Sequence, residues 1–337
     1  MPANRQILLA RRPQGQARAD DFRLVTSQTP PLAEGQVLVR HHWLSLDPYM
    51  RGRMDDAASY AAPQPLGQVM IGATAGEVVE SRHPHFAAGD TVSGMGGWQE
   101  WSVVDGEGRG LRKVDAARVP LSSYLGALGM PGVTAWFGLN RLIAPRAGET
   151  VTVSAASGAV GSTVGVLAKA RGLRVVGIAG GPDKCRHVVE QLGFDACIDH
   201  RLNADAGSLA AALGEACPQG IDGHFENVGG RVLDAVLARI NAHGRIALCG
   251  MIAGYDGQPI PLAQPQRILS KRLRLQGFVI SEHPQAWAEA LPELHELVAS
   301  GRFRPRECVA HGLEAAPEAF LGMLRGRNFG KQLVRLV

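Results

Sequence analysis

The chain has 337 residues with 45% apolar and 20% charged side chains, a composition that excludes a disordered or fibrous protein and leaves room for roughly two folded domains. Its net charge of +4 is small, and the basic residues alternate with acidic ones, so a nucleic-acid partner is not implied. No apolar run reaches the length of a membrane span or a signal peptide, and the five cysteines are odd in number and widely spaced, which points to a reducing, cytoplasmic setting.

Along the first 125 residues, strand-like runs at Gln36–Arg40, Ile71–Glu80 and Thr91–Ser93 are separated by turn signals such as Pro30-Pro31, Glu34-Gly35 and Gly96-Gly97. No long amphipathic helix interrupts them, so this part reads as a mostly antiparallel β domain without a cofactor motif of its own. From Gly126 the pattern changes to strands at Val151–Ala155, Arg174–Ile178, Ala196–Ile198, Gly223–Val228 and Arg245–Cys249. These alternate with helices at Val160–Arg171, Asp183–Leu192, Ala206–Ala216 and Arg231–Ile240. Such alternation predicts an α/β, doubly wound parallel sheet, to which Arg274–Ile280 adds a sixth strand. Beyond the helical Trp287–Ser300 come a strand (Phe303–Val309), a helix (Ala316–Arg325) and a last strand (Lys331–Leu336) that returns to the first domain. The expected division is 1–125, a substrate domain; 126–302, a Rossmann domain; and 303–337, the return.

The strand Val151–Ala155 runs through Ala156-Ser157-Gly158-Ala159-Val160-Gly161 into a helix, the strand–turn–helix setting of a dinucleotide fingerprint with Ala156 in place of the first glycine. Gly158 lets backbone approach a pyrophosphate, Gly161 lets helix and strand pack closely, and the helix N-terminus supplies N–H donors. At the tip of the second strand the chain reads Ile178-Ala179-Gly180-Gly181-Pro182-Asp183-Lys184, without the acidic residue that binds the ribose of NAD. Lys184 opposes the helix dipole from the first turn, which favours NADPH with a 2′-phosphate as the missing anion; a solvated lysine paired with Asp183 is the alternative. The zinc-ligand patterns of alcohol dehydrogenases are missing. His41-His42 and His83-x-His85 offer no third ligand, so no metal is assigned.

The sequence resembles the zinc-free medium-chain dehydrogenases/reductases that include the alkenal/prostaglandin reductases and bacterial curcumin reductases. The carriers are "LSLDPYMRGRM" (Leu44–Met54), "GMPGVTAWFGL" (Gly129–Leu139), "SAASGAVGS" (Ser154–Ser162), "GFDACIDH" (Gly193–His200), "ENVGG" (Glu226–Gly230), "CGMIAGYDG" (Cys249–Gly257), "LQGFVI" (Leu275–Ile280) and "GRNFGK" (Gly326–Lys331). The resemblance implies a GroES-like substrate domain beside the Rossmann domain, a homodimer with an interface near Arg274–Ile280, and NADPH-dependent reduction of an activated C=C bond in a small conjugated carbonyl, with hydride reaching the β-carbon. By position it assigns cofactor contacts to Gly158, Ala159, Val160, Gly161, Lys184, Asn227, Cys249, Gly250, Tyr255, Phe278, Val279, Ile280 and Asn328. His200 stands where many relatives have a tyrosine beside the adenosine.

Hydride addition to an enone puts negative charge on the carbonyl oxygen, so a hydrogen-bond donor is needed there. Tyr255, just beyond the fifth strand of the parallel sheet, is the first candidate, with a loop tyrosine covering the cofactor as the alternative; Tyr49 in "DPYM" is the second, with packing as its alternative. An NADPH:quinone reductase and a non-catalytic NADPH-binding module are the competing functions.

Overall fold

The computed structural model describes residues 1–106 and 110–337, and the chain divides into two compact units, Met1–Gly126 with Glu307–Val337, and Ala127–Arg306.

In the first unit, the ten-residue strand Gln36–Ser45 is the hub of a seven-stranded sheet. It pairs antiparallel with Thr74–Ser81, with Trp101–Asp105 and with the late strand Lys331–Arg335. Glu307–His311 adds in parallel to Lys331–Arg335, which makes the sheet mixed at that end. A separate antiparallel hairpin, Ala3–Leu9 with Phe22–Gln28, occupies a stretch where the arginine-rich sequence announced no strand. The core explains it: Ile7, Leu9 and Phe22 are buried, and Phe22 stacks on Trp98 with centroids 5.3 Å apart. Tertiary burial of alternate residues outweighs a polar local composition. Trp98, Met50, Met54 and Phe320 share that core, so Trp98 and Met50 are packing residues.

The second unit is built on six parallel strands in the order Ala196–Asp199, Arg174–Ala179, Thr150–Ser154, Ile221–Glu226, Ile240–Leu248, Arg274–Gly277. Thr150–Ser154 and most of Arg174–Ala179 are buried on both sides, as a parallel sheet covered by helices requires. The sixth strand is shorter than the apolar run that foretold it and ends at Gly277; Phe278 leaves the sheet to pack on Phe137 and Phe225. One helix, Met130–Phe137, was hidden in sequence because its buried face runs nearly all the way round.

A side chain at Gly165 of helix Ala159–Ala170 would overlap the ring of Phe194, which lies in the loop before strand Ala196–Asp199 and is itself buried. Gly165→Ala should therefore destabilise the protein by roughly 1–3 kcal/mol through overpacking, more than the ~1 kcal/mol that alanine gains in a helix. Urea denaturation of the two proteins checks this, with a lower midpoint expected for the variant.

Candidate active site

The carboxyl ends of the parallel strands hold the candidate cofactor residues of the second unit. After Ser154 the chain turns through Ala155, a non-glycine residue at φ 48°, and enters the helix with Gly158 as N-cap. The left-handed turn that the fingerprint ordinarily assigns to glycine is thus made by an exposed alanine one position before Ala156, which is buried. A Cβ on Gly161 would lie 2.4 Å from the Ala155 carbonyl oxygen, so only glycine allows the helix N-terminus this close to the strand. The first hydrogen bond within this helix turn runs from the Ser162 N–H to the Gly158 oxygen at 2.9 Å. The N–H groups of Ala159, Val160 and Gly161 precede it and have no helical carbonyl to meet, which is the donor set that a pyrophosphate takes.

At the tips of the second and third strands, the structure brings Gly180 and His200 together with a cation that the motif did not announce, Arg201. A Cβ on Gly180 would lie 2.8 Å from His200 Nε2 and 3.0 Å from Arg201 Nε. Lys184 is half-buried in the first turn of helix Pro182–Glu190, whose first residue is Pro182. The Asp199 Oδ1 accepts the N–H groups of Gly181 and Arg201, each at 2.9 Å. Burial opposes its ionisation, but those two donors outweigh it and hold its pKa below the usual value. Arg231 donates to the His200 backbone oxygen at 3.0 Å and to its Nδ1 at 3.2 Å. Burial first, then the Arg231 charge, lower the His200 pKa, so the ring is neutral with its proton on Nε2, over Gly180. Arg201 was legible only as the neighbour of His200; Arg231, 31 residues from it in sequence, gave no local sign.

Across the fourth and fifth strands, Asn227 donates from its backbone to Ser154 Oγ at 2.7 Å and from Nδ2 to the Ser154 oxygen at 2.8 Å. The N–H groups of Cys249 and Gly250 bond the Glu226 oxygen at 2.9 and 3.1 Å. The Tyr255 hydroxyl lies 3.4 Å from where a Cβ on Gly250 would stand, which places the phenol over the same edge as Asn227. Burial, and after it the Glu226 carboxylate, push the Cys249 thiol up to about 12, so it is a neutral wall and no nucleophile. Phe278 and Ile280 are turned into the packed body, so the segment Phe278–Ile280 offers mainly backbone to a ligand.

Tyr49 and Asn328 belong to the first unit. Tyr49 opens the short helix Tyr49–Arg53, and burial followed by the Asp47 charge raises its pKa, so the phenol stays protonated. Asp47 is held in turn by the buried Lys331, whose Nζ donates to Asp47 Oδ1 at 2.9 Å and to the Leu46 oxygen at 2.7 Å. Asn328 donates to the Gly330 oxygen at 2.8 Å. The "DPYM" and "GRNFGK" segments are therefore bound to each other by a buried ion pair.

Residues 5–114 match the model described as the N-terminal domain of oxidoreductase, and residues 159–296 match the zinc-binding dehydrogenase model. An NADPH-dependent curcumin reductase of Escherichia coli is 45% identical over 99% of this chain and 97% of its own. The chain belongs to the zinc-free medium-chain reductase family. Within that family, the NADP(+)-dependent 2-alkenal reductase of Nicotiana tabacum is 40% identical over 98% of this chain and 97% of its own. The crystal structure of CurA in complex with NADPH from Vibrio vulnificus is similar at a TM-score of 0.91, with 43% identity and 99% of each chain covered. Despite the wording of the second model, no group of three or more His, Cys, Asp or Glu able to hold a metal ion occurs among the described residues.

Glu226 carries a pH consequence of this geometry. Burial opposes its charge, but His224, Ser154 and the Val228 N–H outweigh burial and lower its pKa. A carboxylate whose folded pKa is lowered stabilises the protein above the unfolded value of about 4.3 and loses that contribution as pH falls through the lower folded value. Glu226→Gln should be less stable than the parent at pH 7, and the gap should narrow below about pH 4. Denaturant midpoints at the two pH values check it.

Proposed function

We propose that the protein is an NADPH-dependent reductase of the activated C=C bond of α,β-unsaturated aldehydes and ketones. The observation that carries this reading is the full-length similarity to a curcumin reductase and a 2-alkenal reductase, whose substrates share one feature, a C=C bond conjugated to a carbonyl.

NADPH, when bound, supplies the hydride that reaches the β-carbon. The turn from Ala155 to Gly161 seats the pyrophosphate, and the tip of the second strand recognises the 2′-phosphate through Lys184, Arg201 and the His200 Nε2–H. Asn227, Cys249, Gly250, and the backbone of Phe278, Val279 and Ile280 line the seat further along the edge. Tyr255 donates to the substrate carbonyl oxygen as negative charge develops there, and a phenol, with a pKa near 10, keeps its proton to do so at neutral pH. Tyr49 is a second phenol of the same chemistry, in the other unit.

Lys184→Ala and Arg201→Ala should each weaken NADPH by about 1.5–3 kcal/mol, the range of a charge-assisted hydrogen bond, and leave NADH nearly unchanged. Titration of both cofactors separates this from a general loss: equal weakening of both removes the phosphate assignment. Tyr255→Phe keeps the ring and should lower kcat with an enone about 10²–10³-fold while changing KM less. Stopped-flow kinetics at saturating NADPH measures it, and an unchanged rate of the chemical step removes Tyr255 from the role.

The protein works as a homodimer in the cytoplasm. Strand Arg274–Gly277 is the last of its sheet and mostly exposed, an open edge of the kind that pairs with another chain, and none of the five cysteines is in a disulfide. Light scattering at micromolar concentration should give twice the monomer mass; a monomer alone would contradict the assembly.

A further inference from the structure

The central two strands of the parallel sheet carry a polar stripe in an otherwise aliphatic face. Registered neighbours in a parallel sheet point to the same side. Thr152 is aligned with Val176 and His224, Ser154 with Ile178, His224 with Ile246, and Glu226 with Leu248. Val176, Ile178 and Ile246 belong to the apolar cluster there, with Leu248 packed against it, whereas Thr152, Ser154, His224 and Glu226 are wholly buried and polar. Aliphatic side chains at these positions would avoid the cost of burying a carboxylate.

The polar side chains of the stripe are all engaged with one another or with backbone. Thr152 Oγ1 meets His224 Nδ1 at 2.8 Å, and His224 Nε2 meets Glu226 Oε2 at 3.1 Å. Glu226 Oε1 accepts the Ser154 hydroxyl and the Val228 N–H, both at 2.6 Å. Because the Ser154 proton goes to the carboxylate, its oxygen is left to accept the Asn227 N–H at 2.7 Å. Asn227 Nδ2 faces the Ser154 carbonyl oxygen at 2.8 Å, and a carbonyl can be met only by the NH₂ end of the amide. The amide oxygen Oδ1 consequently points away from Ser154, on a half-buried residue at the carboxyl edge of the sheet.

We propose that Glu226 and Ser154 are positioning residues for the cofactor seat, holding Asn227 so that its Oδ1 is presented as an acceptor to a hydroxyl of NADPH. This rests on the NADPH reading above and adds which buried groups orient the seat. Ser154 acts through Asn227, so the effects of removing them do not add.

NADPH affinity, measured by fluorescence without substrate, tests it. Ser154→Ala and Asn227→Ala should each weaken NADPH by about tenfold, and the double variant by about tenfold as well. Glu226→Gln keeps an oxygen for Ser154 and Val228 and should bind within about threefold of the parent, whereas Glu226→Ala should be as weak as Ser154→Ala. Ser154→Ala removes one oxygen atom and carries the test if Glu226→Ala does not fold. Parent-like affinity of Ser154→Ala, losses that multiply to about a hundredfold in the double variant, or a Gln variant as weak as the Ala variant would overturn the positioning role while the parent still binds NADPH. A parent protein that binds no NADPH would overturn the underlying reading and this proposal with it.

Discussion

A parallel sheet covered by helices has no free face, so its only open chemistry lies where the strands end, and the second unit follows from that constraint. The first strand delivers the turn from Ala155 to Gly161, the second and third deliver Gly180, Lys184, His200 and Arg201, and the fourth and fifth deliver Asn227, Gly250 and Tyr255. Each of these residues sits at a strand tip, in the loop just past it or in the first turn of the helix that follows. The close approach at Gly161, where a single Cβ would strike the Ala155 carbonyl oxygen, fixes how far the helix N-terminus reaches toward that edge.

Electrostatics divide the edge into two regions. At the second and third strands the charges are mainly cationic; of the carboxylates there, Asp199 accepts two backbone N–H groups and Asp183 pairs with Arg186. Burial and then the Arg231 charge lower the His200 pKa, and Arg231, donating to Nδ1, settles its tautomer, so the ring serves as a donor instead of a further charge. At the fourth strand the order is reversed: a buried carboxylate, Glu226, lies beneath the edge and works through hydrogen bonds on Ser154 and Val228. The first suits an anion and the second suits neutral hydroxyl and amide groups.

Much of this was legible in the residues. The runs of valine and isoleucine at Val151, Val153, Val175 and Val176 declare buried parallel strands, and Gly158 with Gly161 declares the turn that follows. The hairpin Ala3–Leu9 with Phe22–Gln28 was not legible, because its strand character depends on a distant Trp98 that its polar local sequence does not reveal. Helix Met130–Phe137 was missed for the opposite reason, being apolar on nearly every side. In the site, single residues tied to a motif were found, and partners brought by the fold were not: Arg201 and Arg231 beside His200, and Ser154 and His224 around Glu226. A network across two strands has no spacing in sequence, only a register in space.

The central claim is that hydride arrives at the β-carbon and not at the carbonyl carbon or at oxygen, and the position of a label reads this directly. NADPH dideuterated at its reactive ring carbon, incubated with the protein and a 2-alkenal, should yield the saturated aldehyde with one deuterium on the β-carbon. Deuterium on the carbonyl carbon of an allylic alcohol, or turnover of quinones with no carbon–deuterium bond formed and no reaction with the alkenal, would contradict the account.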